Sequence, residues 1–201
     1  MPAKIKSGFT LIELLIVIAI LGLLAVVVIV ALNPVENLAK TRDSGRLSTV
    51  AQMGHALEAY AANHNGAYVQ ANGQVGTTAC VSAATWVGCL VDAGEVNNTP
   101  AVITPAISNI NVCTAAPTGA TSGVTNGWCY KTTGTGVGPV IVYARLEAKA
   151  NDSKCANPAT ESAWALYSSS DGRGGVVCTT DSGGSAVEPT GPAVAGTFVF
   201  R

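Results

Sequence analysis

Apolar residues run almost without a break from Phe9 to Leu32, and Glu13 is the only charge among them. About 20 apolar residues suffice for a helix to cross a bilayer, and at roughly 1.5 Å per residue this run is about 36 Å long. Pro34 follows Asn33 directly after it. Proline removes a helix hydrogen bond and clashes with the preceding turn, so a kink or break is expected there. Gly22 is a second weak point inside the run. From Val35 the pattern becomes amphipathic. Leu47, Val50, Gly54, Leu57 and Ala61 recur at spacings of three and four and predict one apolar helix face. Arg42, Asp43, Arg46, Gln52 and Glu58 fall largely off that face. Gly45 and Gly54 weaken the helix but permit close packing. Asn63-His64-Asn65-Gly66 is a stop signal followed by a turn.

Residues 68–125 are rich in Asn, Thr, Gly and Ala and predict a long connection, with one strand or short helix near Thr85-Trp86-Val87. Strand patterns then appear at 128–132, 140–146, 162–168, 175–179 and 197–200, with a Gly-rich turn at 133–138. Residues 181–195 are poor in large apolar side chains and predict a surface loop. These elements describe an α+β fold. A long N-terminal α-helix packs against a C-terminal antiparallel sheet of four or five strands, joined by hairpins.

The start of the apolar run carries the most specific signal. A short basic stretch (Lys4, Lys6) ends in Ser7-Gly8 immediately before Phe9. An ordinary secretory signal has an apolar region of about 7–15 residues that ends in a small-residue cleavage site. Here the run is longer and the small residue precedes it. A generic single-span anchor accounts for the length but not for Gly8 or Glu13. A carboxylate inside a membrane is costly, so a chain that carries one there has a use for it. Charge bias does not set the orientation, since Lys4 and Lys6 precede the span while Lys40, Arg42 and Arg46 follow it closely.

Gly8-Phe9-Thr10-Leu11-Ile12-Glu13, followed by the apolar run, resembles the N-terminal signature of type IV pilins and type II secretion pseudopilins. The resemblance covers residues 4 to about 32, and the amphipathic continuation extends it to about residue 68. It implies cleavage between Gly8 and Phe9 by a prepilin peptidase and N-methylation of Phe9. It also implies assembly through Glu13, which becomes the fifth residue of the mature chain. Pro34 departs from the common pattern, in which a proline lies nearer Val30. The implied organisation is a cleaved leader (1–8), a transmembrane and filament-core helix (9–33), an amphipathic stem (34–65) and a globular β head (66–201). The implied partners are other pilin subunits, the peptidase, an inner-membrane assembly platform and, before assembly, the membrane. The implied location is the inner membrane for the precursor, then an extracellular filament or a periplasmic pseudopilus. The leading function is a structural subunit of a type IV pilus. The alternatives are a type II secretion pseudopilin and a membrane-anchored periplasmic binding module that does not polymerise.

Composition bears on compartment and chemistry. Cys80, Cys89, Cys113, Cys129, Cys155 and Cys178 all follow the span, with no C-x-x-C pair and with both histidines (His55, His64) upstream, which disfavours zinc. An even count in a charge-poor head suggests an oxidising compartment, against the bland reading of free buried thiols. Six cysteines allow 15 pairings. Near neighbours are favoured: Cys80–Cys89, Cys113–Cys129 and Cys155–Cys178. The net charge is −1, and loss of residues 1–8 takes Lys4 and Lys6 and leaves −3, so no basic patch for nucleic acid is indicated. No nucleophile and base can be paired, and neither Gly-rich string (134–138, 172–175) is a P-loop, so no enzyme and no cofactor is expected. The one candidate metal site is the segment around Asp171. It is similar to a calcium-holding loop of major pseudopilins, with Asp171, Asp181 and carbonyls as ligands. Against this stand the distance of Asp181, the charge of Arg173 and the simpler reading of an Asp-Gly hairpin turn. Asn97-Asn98-Thr99 and Asn151-Asp152-Ser153 match the Asn-x-Ser/Thr pattern, which alone assigns no glycan.

Overall fold

A computed structural model describes residues 8–70, 74–75, 78–79, 85–104, 122–132, 138–182, 185–191 and 196–201. Cys80, Cys113 and most of the Gly-rich turn at 133–138 lie outside the described residues. The chain forms two compact units, Met1–Leu38 and Ala39–Arg201.

In the first unit, α1 (Leu11–Leu32) has no buried residue, and α2 begins at Pro34. The break expected at proline is present, and Asn33 organises it. Its backbone adopts φ 40°, ψ 68°, the left-handed conformation that asparagine tolerates. Its Oδ1 accepts the Glu36 N–H at 3.4 Å, and the Asn37 side chain donates to the Leu32 carbonyl at 2.8 Å. Asn33 therefore closes one helix and opens the next, and Pro34 occupies the first helical position, where its missing N–H costs nothing.

In the second unit, α2 (Pro34–Asn63) supplies one wall of the core. It stops as expected, with Asn65 at φ 53°, Gly66 at φ 79° and the Gly66 N–H on the Ala61 carbonyl. A two-residue pair, β1 (Gln74–Val75) and β2 (Thr78–Ala79), precedes α3 (Trp86–Asp92), which Thr85 caps by accepting the Gly88 N–H. The sheet follows in simple meander order: β3 (Ser122–Thr125), β4 (Trp128–Thr132), β5 (Val140–Arg145), β6 (Glu161–Ser168) and β7 (Arg173–Thr180), every pair antiparallel. A short helix, α4 (Lys149–Asp152), lies between β5 and β6. The α+β class and the packing of a long helix on an antiparallel sheet are as expected; β3 and α4 carried no legible signal.

Side chains alternate across the sheet. Trp128, Tyr130, Val140, Val142, Ala144, Ala163, Ala165, Tyr167 and Val176 face a core shared with Val50, Met53 and Leu57 of α2 and Trp86 and Leu90 of α3. Cys129, Ile141, Tyr143, Trp164, Leu166 and Val177 form a second apolar cluster with Ala186, against which Phe198 and Phe200 pack. This corrects two expectations. Residues 197–200 do not form a strand, although the Arg201 N–H does donate to the Val176 carbonyl at the sheet edge. The described part of 181–195 is not simply a surface loop. Ala186 is buried, and Glu188 accepts the Tyr143 hydroxyl at 2.7 Å and pairs with Lys131 at 2.9 Å. Burial, then the Glu188 carboxylate, holds the Tyr143 hydroxyl protonated well above its ordinary range.

The apolar face of α2 also needs correction. Val50, Gly54, Leu57 and Ala61 are buried as expected and Leu47 partly so, but Asp43 and Arg46 are buried too, at 1% and 4% exposure. Asp43 accepts the N–H groups of Glu147 and Ala148 at 2.8 Å, the Asn151 side-chain amide at 2.7 Å and Arg46 at 3.0 Å. Its carboxylate thus fixes the backbone that leads into α4, whose N-cap residue Ala148 supplies no side-chain cap. Arg42 and Arg46 both pair with Glu147, and Arg46 also donates to the Arg145 carbonyl. A buried charge is tolerable when its hydrogen bonds are met in this way.

Candidate processing and assembly site

Residues 8–10 precede the first turn of α1 and are exposed. A Cβ at Gly8 would meet nothing within 4 Å, and Phe9 is 79% exposed. The Gly8–Phe9 bond therefore lies two residues before α1, in backbone outside the helical ladder that a protease can draw into extended form. Thr10 has an extended backbone (φ −86°, ψ 148°) and caps α1.

Glu13 and Thr10 form a reciprocal capping box. The Thr10 hydroxyl accepts the Glu13 N–H at 3.4 Å. The Glu13 carboxylate accepts the Thr10 N–H at 2.9 Å and the Thr10 hydroxyl at 2.7 Å. The first N–H groups of a helix have no intrahelical partner, and here two of them are met by side chains. An axial rise of about 6 Å over four residues would keep Glu13 away from residue 9 in a straight helix. The structure shows the carboxylate folded back as far as Thr10. The signal was present in the sequence: Thr10-Leu11-Ile12-Glu13 has the Ser/Thr-x-x-Glu spacing of a capping box. Cleavage after Gly8 would leave this box intact and place a new amine on Phe9, one residue before the Thr10 N–H.

The remaining candidate residues lie in the second unit. Cys155 and Cys178 are joined in a disulfide with a Cα–Cα distance of 5.7 Å. Cys89 and Cys129 each take part in a disulfide as well, and no described cysteine is free. Among the described residues, the one group of metal-ligating type within reach of a common point is Cys155, Glu161 and Cys178, and its two sulfurs are bonded to each other. The structure does not bring Asp171 and Asp181 together. β7 separates Asp171 from Asp181, and its eight residues span about 26 Å at roughly 3.3 Å per residue. The two carboxylates therefore cannot share an ion. Each has one buried oxygen without a partner among the described residues. Asp171 spends its other oxygen on the Gly196 N–H at 2.7 Å, and Gly172 beside it takes φ 62° in the β6–β7 turn. His55 meets the Tyr167 ring edge-on at 5.2 Å and His64 stacks on Tyr60 at 3.9 Å.

Residues 4–29 match the family model described as the prokaryotic N-terminal methylation motif. No curated protein and no solved structure matches the chain. The motif fits a membrane-anchored precursor and indicates a structural role. It begins at Lys4 and spans Gly8, Phe9, Thr10 and Glu13, so the residues that form the exposed bond and the capping box are those it matches. The chain carries the class III signal of type IV pilins and pseudopilins at the head of a pilin-like α+β architecture.

Proposed function

We propose that this chain is the structural subunit of a type IV pilus, cut between Gly8 and Phe9, methylated on Phe9 and polymerised through α1. One observation supports this above the others. α1 is apolar on every side and buries none of its 22 residues within its own chain, yet its first turn carries an acid. An apolar surface of that size demands either lipid or other copies of the same helix. The capping box gives Glu13 a local use in any medium, and a bundle of staggered helices gives its charge a second one. The amine of one subunit's Phe9 meets the Glu13 carboxylate of its neighbour, and pairing relieves the cost of burying each charge alone. The apolar faces supply contact area, and the ion pair sets the axial register.

The test is Glu13→Ala in cells that contain the assembly machinery. Membrane insertion should persist, and filaments seen by electron microscopy should disappear or fall sharply in number. Mass spectrometry of wild-type filaments should give a subunit that begins at N-methylated Phe9. Normal filaments from the Glu13→Ala protein would refute the register mechanism. Wild-type assembly confined to a short periplasmic fibre would favour the pseudopilin, and no assembly at all the anchored binding module.

A further inference from the structure

The two Asn-x-Ser/Thr segments have opposite surroundings. Asn151 lies in α4 at 8% exposure, and its side-chain amide donates to Asp43 at 2.7 Å. Its backbone N–H donates to the Ala148 carbonyl, and the Ser153 hydroxyl to the Lys149 carbonyl at 3.0 Å. Residues two apart on a helix do not face each other, so the amide and the hydroxyl cannot act together there. Asn97, Asn98 and Thr99 are all exposed, and none has a hydrogen bond among the described residues. Their loop is pinned on both sides. Before the tip, the Glu95 and Val96 N–H groups donate to the Leu90 carbonyl, and Asn63 donates to the Glu95 carboxylate at 3.0 Å. After it, Asn126 donates to the Pro100 carbonyl at 2.8 Å and Trp128 to the Ala101 carbonyl at 2.9 Å. The tip therefore projects from a fixed base with its backbone free of any ladder, as an acceptor loop must.

We propose that Asn97 is an N-glycosylation site whose donor is a lipid-linked oligosaccharide pyrophosphate. The Asn97 amide nitrogen forms a bond to the anomeric carbon of the first sugar. The bond from that carbon to the pyrophosphate oxygen breaks, the lipid pyrophosphate leaves with the electron pair, and one amide proton passes to a base of the transferase. The Thr99 hydroxyl, two residues on, is the recognition element. Asn97 helps to line an open groove of about 620 Å³ with Thr49, Gln52, Met53, Ile103 and Trp128, so an attached sugar would lie against those side chains. The proposal rests on the reading that the second unit is exported, which the oxidation state of Cys155 and Cys178 reports separately.

The experiment uses the full chain, purified in detergent from cells that make the donor and an oligosaccharyltransferase and that glycosylate a control acceptor. Intact mass should exceed the chain mass by one glycan, and peptide mapping should place it on Asn97. Asn97→Gln and Thr99→Ala should each lose the whole increment with an unchanged melting temperature. Asn151→Gln should keep the glycan and melt several degrees lower. Unmodified Asn97 beside a glycosylated control and an oxidised Cys155–Cys178 pair would overturn the proposal, as would a glycan on Asn151. Unmodified Asn97 with reduced cysteines would overturn the export reading, and this proposal with it.

Discussion

Replacing Gly54 by alanine would place a methyl carbon 2.2 Å from both Cδ1 and Cγ of Tyr167. Tyr167 is 1% exposed and sits on β6, in the cluster that α2 closes, so the ring has nowhere to retreat. Overpacking a filled core costs about 1–3 kcal/mol, and a contact this short belongs at the upper end. Alanine gains back about 1 kcal/mol in helix propensity over glycine. The expected net loss is therefore about 2 kcal/mol, a fall of roughly 4–8 °C for a unit of this size. Gly45 on the same helix provides the control, because a Cβ there meets nothing within 4 Å. Gly45→Ala should gain up to about 1 kcal/mol. Thermal unfolding of the full chain in detergent, followed by near-ultraviolet dichroism with disulfides intact, measures both. In a Tyr167→Ala background Gly54→Ala should become neutral or stabilising, since contacting residues are not additive. A Gly54→Ala protein that melts at or above wild type would show that the Tyr167 ring does not lie against the stem.

Asp43→Ala should destabilise the second unit by about 2–3 kcal/mol in the same melt, because it leaves the Glu147 and Ala148 N–H groups and the buried Asn151 amide without their acceptor; a loss under about 1 kcal/mol would contradict the network. Glu147 has its carboxyl held below the usual range, first by its hydrogen bond to Arg42, then by the charges of Arg42 and Arg46, against an opposing burial effect. A lowered folded-state value means that the stabilisation is present above the unfolded carboxylate range and is lost as pH falls through the folded value. Melting temperatures of Glu147→Gln should accordingly sit below wild type at neutral pH and converge on it in acid, and parallel curves would exclude this contribution. Melting in calcium and in chelator should coincide, since Asp171 and Asp181 flank opposite ends of β7; a calcium-dependent rise lost in Asp171→Ala would show that the turn recruits other ligands.

Legibility in the sequence followed how local each cause was. The α1–α2 break, the stop at Asn65-Gly66 and four of the five strands declare themselves in a few adjacent residues, because proline geometry, left-handed turns and period-two alternation are local. The capping box was equally local but overshadowed by the membrane reading of Glu13. The burial of Asp43 and Arg46 was hidden for a different reason. Ala39, Asp43, Arg46, Val50, Met53 and Leu57 recur at spacings of three and four, but hydrophobicity breaks at the two charged positions. Only the partners at 145–151, about a hundred residues away, make those charges tolerable inside. The covering of the sheet's outer face was obscure in the same way. Ala186, Phe198 and Phe200 are too sparse to form a pattern, and they become a layer only beside Trp164 and Leu166.

The joint at Asn33 has one more consequence. A break in a helix ordinarily leaves carbonyls and N–H groups that water must satisfy. Here two asparagine side chains take that part, one on the Glu36 N–H and one on the Leu32 carbonyl. The joint carries its own solvation with it. Two of the groups freed at the elbow are thereby met from within the chain, whether lipid, protein or water surrounds it. An Asn37→Leu substitution would leave the Leu32 carbonyl to its medium.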